Sequence, residues 1–186
     1  MRVLFATLIA LSLAGPAHAE LVDGVVAAID YKIVARSTLM AYRAVFAPAE
    51  PPALALQALI DDRLLGQEAR RYGLELSPER LAEGLVRWPR PAGMGEAEWR
   101  ALVADHMLAR QFLDFRFADF VPIPRQELRA YYEAHRAEFG RPFAEVEDRI
   151  RALLTPAARA RREGAYREEL RARYEIRVNA GLLPPE

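Results

Sequence analysis

His106 and His135, three adjacent acidic pairs and a few serines are the residues of this 186-residue chain whose types suit acid–base, metal or nucleophilic chemistry. A metal needs several His, Cys, Asp or Glu ligands at recurring spacing. The chain has no Cys, and its His, Asp and Glu residues show no regular ligand spacing. Both read as ordinary surface or packed histidines, and no metal is expected. Asp61-Asp62, Glu147-Asp148 and Glu168-Glu169 fall inside helical patterns. Helix neighbours point about 100° apart, so these pairs are poorly placed to bracket one substrate and read as solvated faces. Ser12 lies in the N-terminal apolar run, and Ser37 and Ser77 sit at helix starts. Gly93-Met94-Gly95 is too short for a phosphate loop and lacks the Lys-Ser/Thr that follows one. No catalytic constellation and no cofactor are expected.

Aromatic and methionine residues are the other resource. Trp88, Trp99, Met107, Phe112, Phe115, Phe117 and Phe120 exceed what one core-facing stripe needs. Burial between two neighbouring helices accounts for any one of them about as well as a functional role does. The functional role is an apolar groove for unfolded polypeptide, since Met and aromatic side chains suit a promiscuous surface. The candidate peptide-binding residues are Trp88, Trp99, Met107, Phe112 and Phe115. Their groove would lie between the helices at 81–88 and Glu96–Phe120, with the Pro/Gly loop 89–95 letting the gap vary.

The element that must position them is the stretch Leu54–Glu79. Leu56, Leu59, Ile60 and Leu64 fall on one helical face, and Leu54, Leu65, Ala69 and Tyr72 on nearly the opposite one. Gly73 supplies a left-handed stop and Leu74 folds back on the last turn. Ser77-Pro78 is an N-cap and first helical residue, with Leu76 stapled to Leu81. Before this corner, Val22–Arg36 reads as a hairpin turning at Asp30-Tyr31. Tyr31 lacks the freedom that tight hairpin turns favour. Ser37 is read as the N-cap of a short helix ending before the Pro-rich 47–52. After the long helix Glu96–Phe120 come a helix from Arg125 to Phe139 and another from Phe143, which Thr155-Pro156 either kinks or restarts. Tyr174, Ile176 and Val178 alternate with polar residues as a half-buried strand does. The fold expected is mainly α: about six helices with a small antiparallel sheet formed by the N-terminal hairpin and the C-terminal strand. That strand is expected to return to the hairpin, because isolated hairpins are marginal in water. Residues 181–186 are expected to be a loose tail.

Residues 59–79, Leu-Ile-Asp-Asp-Arg-Leu-Leu-Gly-Gln-Glu-Ala-Arg-Arg-Tyr-Gly-Leu-Glu-Leu-Ser-Pro-Glu, resemble the N-terminal chaperone domain of SurA-like periplasmic foldases. The opening hairpin, the Tyr131-Tyr132-Glu-Ala-His-Arg-Ala-Glu-Phe139 segment and the closing helix and strand are similar as well. In that family a segment like 131–139 leads into a parvulin prolyl isomerase domain. Here Phe139-Gly-Arg-Pro142 passes straight into Phe143-Ala-Glu-Val146, which is similar to the helix that follows that domain in larger relatives. The resemblance implies an ATP-independent chaperone for unfolded or outer-membrane-bound polypeptides, without isomerase activity. Two alternatives stand beside it: a prolyl isomerase-related enzyme or accessory protein, and an assembly subunit with one fixed protein partner.

The chain's ends and charge set the compartment and partners. Arg2, the apolar run Val3–Leu13 and Ala17-His18-Ala19 fit a signal peptide cleaved after Ala19. A periplasmic location follows, with residues 20–180 as one chaperone domain. Without Arg2 the remainder carries 25 basic and 26 acidic residues, a formal charge of −1. That balance makes no case for nucleic acid or an anionic membrane surface. No later segment has the length and apolarity of a membrane span, so no stable membrane insertion is expected.

Overall fold

The computed structural model of the chain describes residues 23–117 and 122–185. The signal-peptide reading of 1–19 and the end of the long helix at Phe120 lie outside the described residues. Val25–Ile29 (β1) and Lys32–Ala35 (β2) form an antiparallel hairpin with Ile29 opposite Lys32. Asp30 is the one non-glycine residue described with positive φ, 51°. Tyr31 therefore escapes the backbone strain its turn position suggested. Ile176–Val178 (β3) lies on the other side of β1, so the strand order is β2-β1-β3, all antiparallel. The Asp30 N–H donates to the Glu175 carbonyl at 2.8 Å, and its Oδ1 accepts from the Glu175 N–H at 3.0 Å. Both ends of the described chain thus meet in one sheet, as the alternation of 174–178 suggested.

Seven helices follow the hairpin among the described residues: Arg36–Phe46 (α1), Pro52–Arg71 (α2), Pro78–Arg87 (α3), Glu96–Phe117 (α4), Arg125–Ala134 (α5), Arg136–Phe139 (α6) and Phe143–Arg171 (α7). The count exceeds six because His135, at φ −121° and ψ 22°, breaks the 125–139 pattern into α5 and a single-turn α6. Ser37 is not the cap of α1, which begins one residue earlier. Its backbone N–H donates to Asp23 Oδ1 at 3.1 Å and its hydroxyl to Asp23 Oδ2. A carboxylate remote in sequence thus does the capping.

The α2 stop is as the sequence dictates. Gly73 takes φ 74°. The Leu74 N–H donates to the Ala69 carbonyl at 2.9 Å and the Gly73 N–H to that of Arg70 at 3.0 Å, the paired bonds of a left-handed helix terminus. Ser77 Oγ then accepts from the Arg80 N–H at 3.3 Å to start α3. In α7, Pro156 does not start a new helix; one helix runs through all 29 residues. The Thr155 hydroxyl donates to the Arg151 carbonyl at 2.7 Å beside the missing proline N–H.

The main core gathers the sheet, α1, α2 and α4 with Tyr166 and Leu170 from the end of α7. A second, smaller cluster joins Ile123, Leu128 and Tyr132 to Val146, Ile150 and Ala158 on the first half of α7. At 1.5 Å per residue α7 is about 43 Å long, enough to belong to both. The closing segment is not a loose tail: Leu183 packs against the main core, and Pro184 is buried. None of the described helices is long and apolar enough to cross a membrane.

Candidate functional site

The five aromatic and methionine candidates separate by exposure. Trp99 (2%) and Phe112 (0%) are core residues. Trp88 and Met107 are half-buried and pack against that core. Only Phe115, 56% exposed, has substantial accessible surface, and its ring lies 6.3 Å from that of Tyr72. Trp99 and Phe112 therefore cannot line an open client groove, because α1, α2 and α7 cover the second apolar face of α4. Phe46 stacks on Trp99 at 5.7 Å, and Tyr166 of α7 lies 5.8 Å from Phe112.

The gap expected between α3 and α4 is closed as well. Gly84 on α3 abuts α4, and a Cβ there would lie 2.5 Å from Met107 Sδ and 3.1 Å from Val103 Cγ1. The absence of a side chain lets the two helices touch. Trp99 Nε1 donates to the Trp88 carbonyl at 3.1 Å, tying the 89–95 loop across the joint.

An open cleft lies elsewhere, between α1, α2, α4 and α7, with a volume of about 640 Å³. Phe46, Leu54, Ala58 and Leu113 give it apolar wall. Leu54, at 51% exposed, forms a free apolar edge. Its polar groups come from the two adjacent aspartates of α2, which diverge as helix geometry requires. Asp61 turns to α7 and accepts from Arg171 Nη1 at 2.7 Å and 2.9 Å, with Arg167 at 4.0 Å. Asp62 turns the other way. Its Oδ2 accepts the Tyr42 hydroxyl at 2.6 Å and meets His106 Nδ1 at 2.7 Å. Neither aspartate lies on a solvated face, with side chains only 12% and 17% exposed. The adjacent pair is no acid/base couple because the partners lie on different helices.

Burial is the larger influence on Asp61 and raises its carboxyl above the ordinary 3.8, although Arg171 and Arg167 oppose the rise. Burial, reinforced by Asp62, pushes the Tyr42 hydroxyl far above its ordinary 10.0. Tyr42 therefore remains a donor to Asp62. A carboxylate 2.7 Å from Nδ1 calls for the imidazole proton on that nitrogen, and the Nε2 of a neutral ring is then an acceptor. Phe46 stacks over the His106 ring at 4.3 Å and Trp88 meets it edge-on at 5.3 Å. Farther along, Arg159 bridges Asp114 at 2.6 Å and Glu163 at 2.7 Å.

The Tyr42–Asp62–His106 cluster escaped the sequence reading because its members come from three helices, separated by 20 and 44 residues. The one available signal was local. His106 and the acidic Asp62 both lie within strongly apolar helical patterns, where a buried polar residue needs a partner. Glu68 is a further buried carboxylate, 2% exposed, held by Arg71 at 2.5 Å and facing the Tyr166 hydroxyl at 3.4 Å. No group of three or more His, Cys, Asp or Glu suited to a metal ion occurs among the described residues. The chain matches no family model and no curated protein.

Proposed function

We propose that this protein is an ATP-independent periplasmic chaperone that holds unfolded polypeptide in the cleft between α1, α2, α4 and α7. The observation that carries the reading is the character of that cleft. It is open, of a size that takes several side chains, and combines apolar wall with ion pairs already satisfied inside the protein. An apolar client side chain gains about 25 cal/mol per Å² buried, less the cost of ordering. A few such contacts give the reversible binding that a chaperone without a nucleotide cycle requires. The helix corner, the joined chain ends and the likeness to SurA-like foldases support the same reading.

The test is suppression of light scattering by an aggregating, denatured client at stoichiometric protein. Leu54→Asp, at an exposed edge, should weaken suppression several-fold while leaving the melting temperature unchanged. No suppression by the unaltered protein would reject the proposal. Tight binding to a single periplasmic protein, with none to denatured clients, would favour an assembly subunit. Export belongs to the same proposal, and mass measurement of the periplasmic form should give a chain beginning at Glu20.

A further inference from the structure

Two polar atoms on residues that line the cleft lack a partner. His106 is 9% exposed and forms its hydrogen bond through Nδ1, and nothing described engages Nε2. Asp62 receives both its bonds on Oδ2, which leaves Oδ1 unengaged. No fully enclosed side-chain nitrogen or oxygen among the described residues lacks a partner. His106 Nε2 and Asp62 Oδ1 are therefore not sealed away, and both residues line the cleft. Asp62 Oδ1 is an acceptor, and so is the Nε2 of a neutral His106, so the unfilled capacity of the site calls for a donor.

Charge points the same way. The lining includes five carboxylates, Glu50, Asp61, Asp62, Asp114 and Glu163, against the guanidinium groups of Arg110, Arg159 and Arg167; with Arg171, bound to Asp61 at the edge of the lining, the balance is −1. Arg159 and Arg167 are committed to ion pairs with those carboxylates. Arg110, one turn along α4 from His106, is exposed and opposes a cation at its corner of the cleft.

We propose that the cleft selects polypeptide segments carrying a basic side chain beside an apolar one, the ammonium or guanidinium donating to His106 Nε2 and Asp62 Oδ1. The apolar neighbour lies on Phe46, Leu54 and Leu113. This selectivity rests on the proposed polypeptide-binding function of the same cleft. A desolvated, charge-assisted hydrogen bond is about twice as strong as a neutral one. Roughly a tenfold gain in affinity follows for a basic over a neutral residue of equal length, equivalent to about 1.4 kcal/mol.

The experiment titrates the protein with labelled unstructured peptides of one apolar host sequence carrying central lysine, norleucine or glutamate. The lysine peptide should bind roughly tenfold tighter than the norleucine peptide, with glutamate weakest, and added salt should narrow the range. His106→Phe keeps a ring against Phe46 and removes the acceptor, so the lysine preference should fall to about twofold or less. Arg110→Gln, at an exposed position, should enlarge the preference; this arm decides if His106→Phe fails to fold. Equal affinity for lysine and norleucine peptides overturns the selectivity. If that protein still suppresses client aggregation, the chaperone function survives alone. A clear lysine preference without aggregation suppression has the opposite consequence: the site stands and the chaperone function falls.

Discussion

Phe112 and Phe115 lie one turn apart on α4, alike in chemistry and opposite in surroundings. Phe112 is fully enclosed between Tyr72 at 5.5 Å and Tyr166 at 5.8 Å, whereas Phe115 is 56% exposed. Phe112→Ala leaves a cavity and should cost about 3–5 kcal/mol of stability. Phe115→Ala should cost about 0.5 kcal/mol or less, as surface changes do. Urea denaturation of the two variants checks the contrast, and equal losses would show that Phe115 is not free. The buried acids follow the same logic. Burial raises the Asp105 carboxyl above its ordinary 3.8 despite the Arg70 guanidinium 2.7 Å away. That pair ties α2 to α4.

At the scale of elements, β3 has only three residues, yet it converts a two-stranded hairpin into a three-stranded sheet. Its Ile176 packs against the main core, as does Leu183 beyond it. The Asn179 N–H donates to the Val26 carbonyl at 2.9 Å, extending the pairing past the strand. Deleting residues 174–186 removes this edge and the clasp between Glu175 and Asp30. The expected outcome is faster amide hydrogen exchange across residues 25–35, with α3 and its junction to α4 unchanged. Unaltered exchange in the hairpin would mean that α1 and α2 hold it alone. The α3–α4 contact depends on a different device, the missing side chain of Gly84. Gly84→Leu should separate the pair and lower the melting temperature, because both neighbouring side chains already fill the space.

For the whole molecule, the decisive joint is 139–143. Gly140 takes φ 59° between α6 and α7, and the Tyr132 hydroxyl donates to the Arg141 carbonyl at 2.9 Å. Phe143 lies 5.6 Å and Phe139 6.0 Å from the Tyr132 ring, so the turn is held tightly. The proposal that this protein lacks isomerase activity rests on the proposed resemblance to SurA-like foldases, in which a catalytic domain would stand at this joint. Proline isomerisation takes roughly tens to hundreds of seconds uncatalysed, so catalysis is easily seen in a proline-limited refolding assay. The expected rate is independent of this protein's concentration; a proportional rise would overturn the proposal.

Local chemistry was legible in the chain itself. Gly73 ends α2, Ser77 begins α3, and the last three residues of the alternating stretch 174–178 make a strand, because each depends on a few consecutive residues and their backbone preferences. The mainly helical class and the small sheet joining the chain ends followed from the same patterns. The tertiary structure decided what periodicity cannot express, namely which neighbour covers which face. Two apolar faces on α4 left Trp99 and Phe112 free to be either core or groove. The packing of α1, α2 and α7 made them core, while Gly84 drew α3 against α4 and closed the space assigned to a client. The open cleft formed instead where Asp61 and Asp62, adjacent in sequence, were drawn to partners on opposite sides. Burial demands a partner for each carboxylate, but only the assembled helices determine which residues supply it.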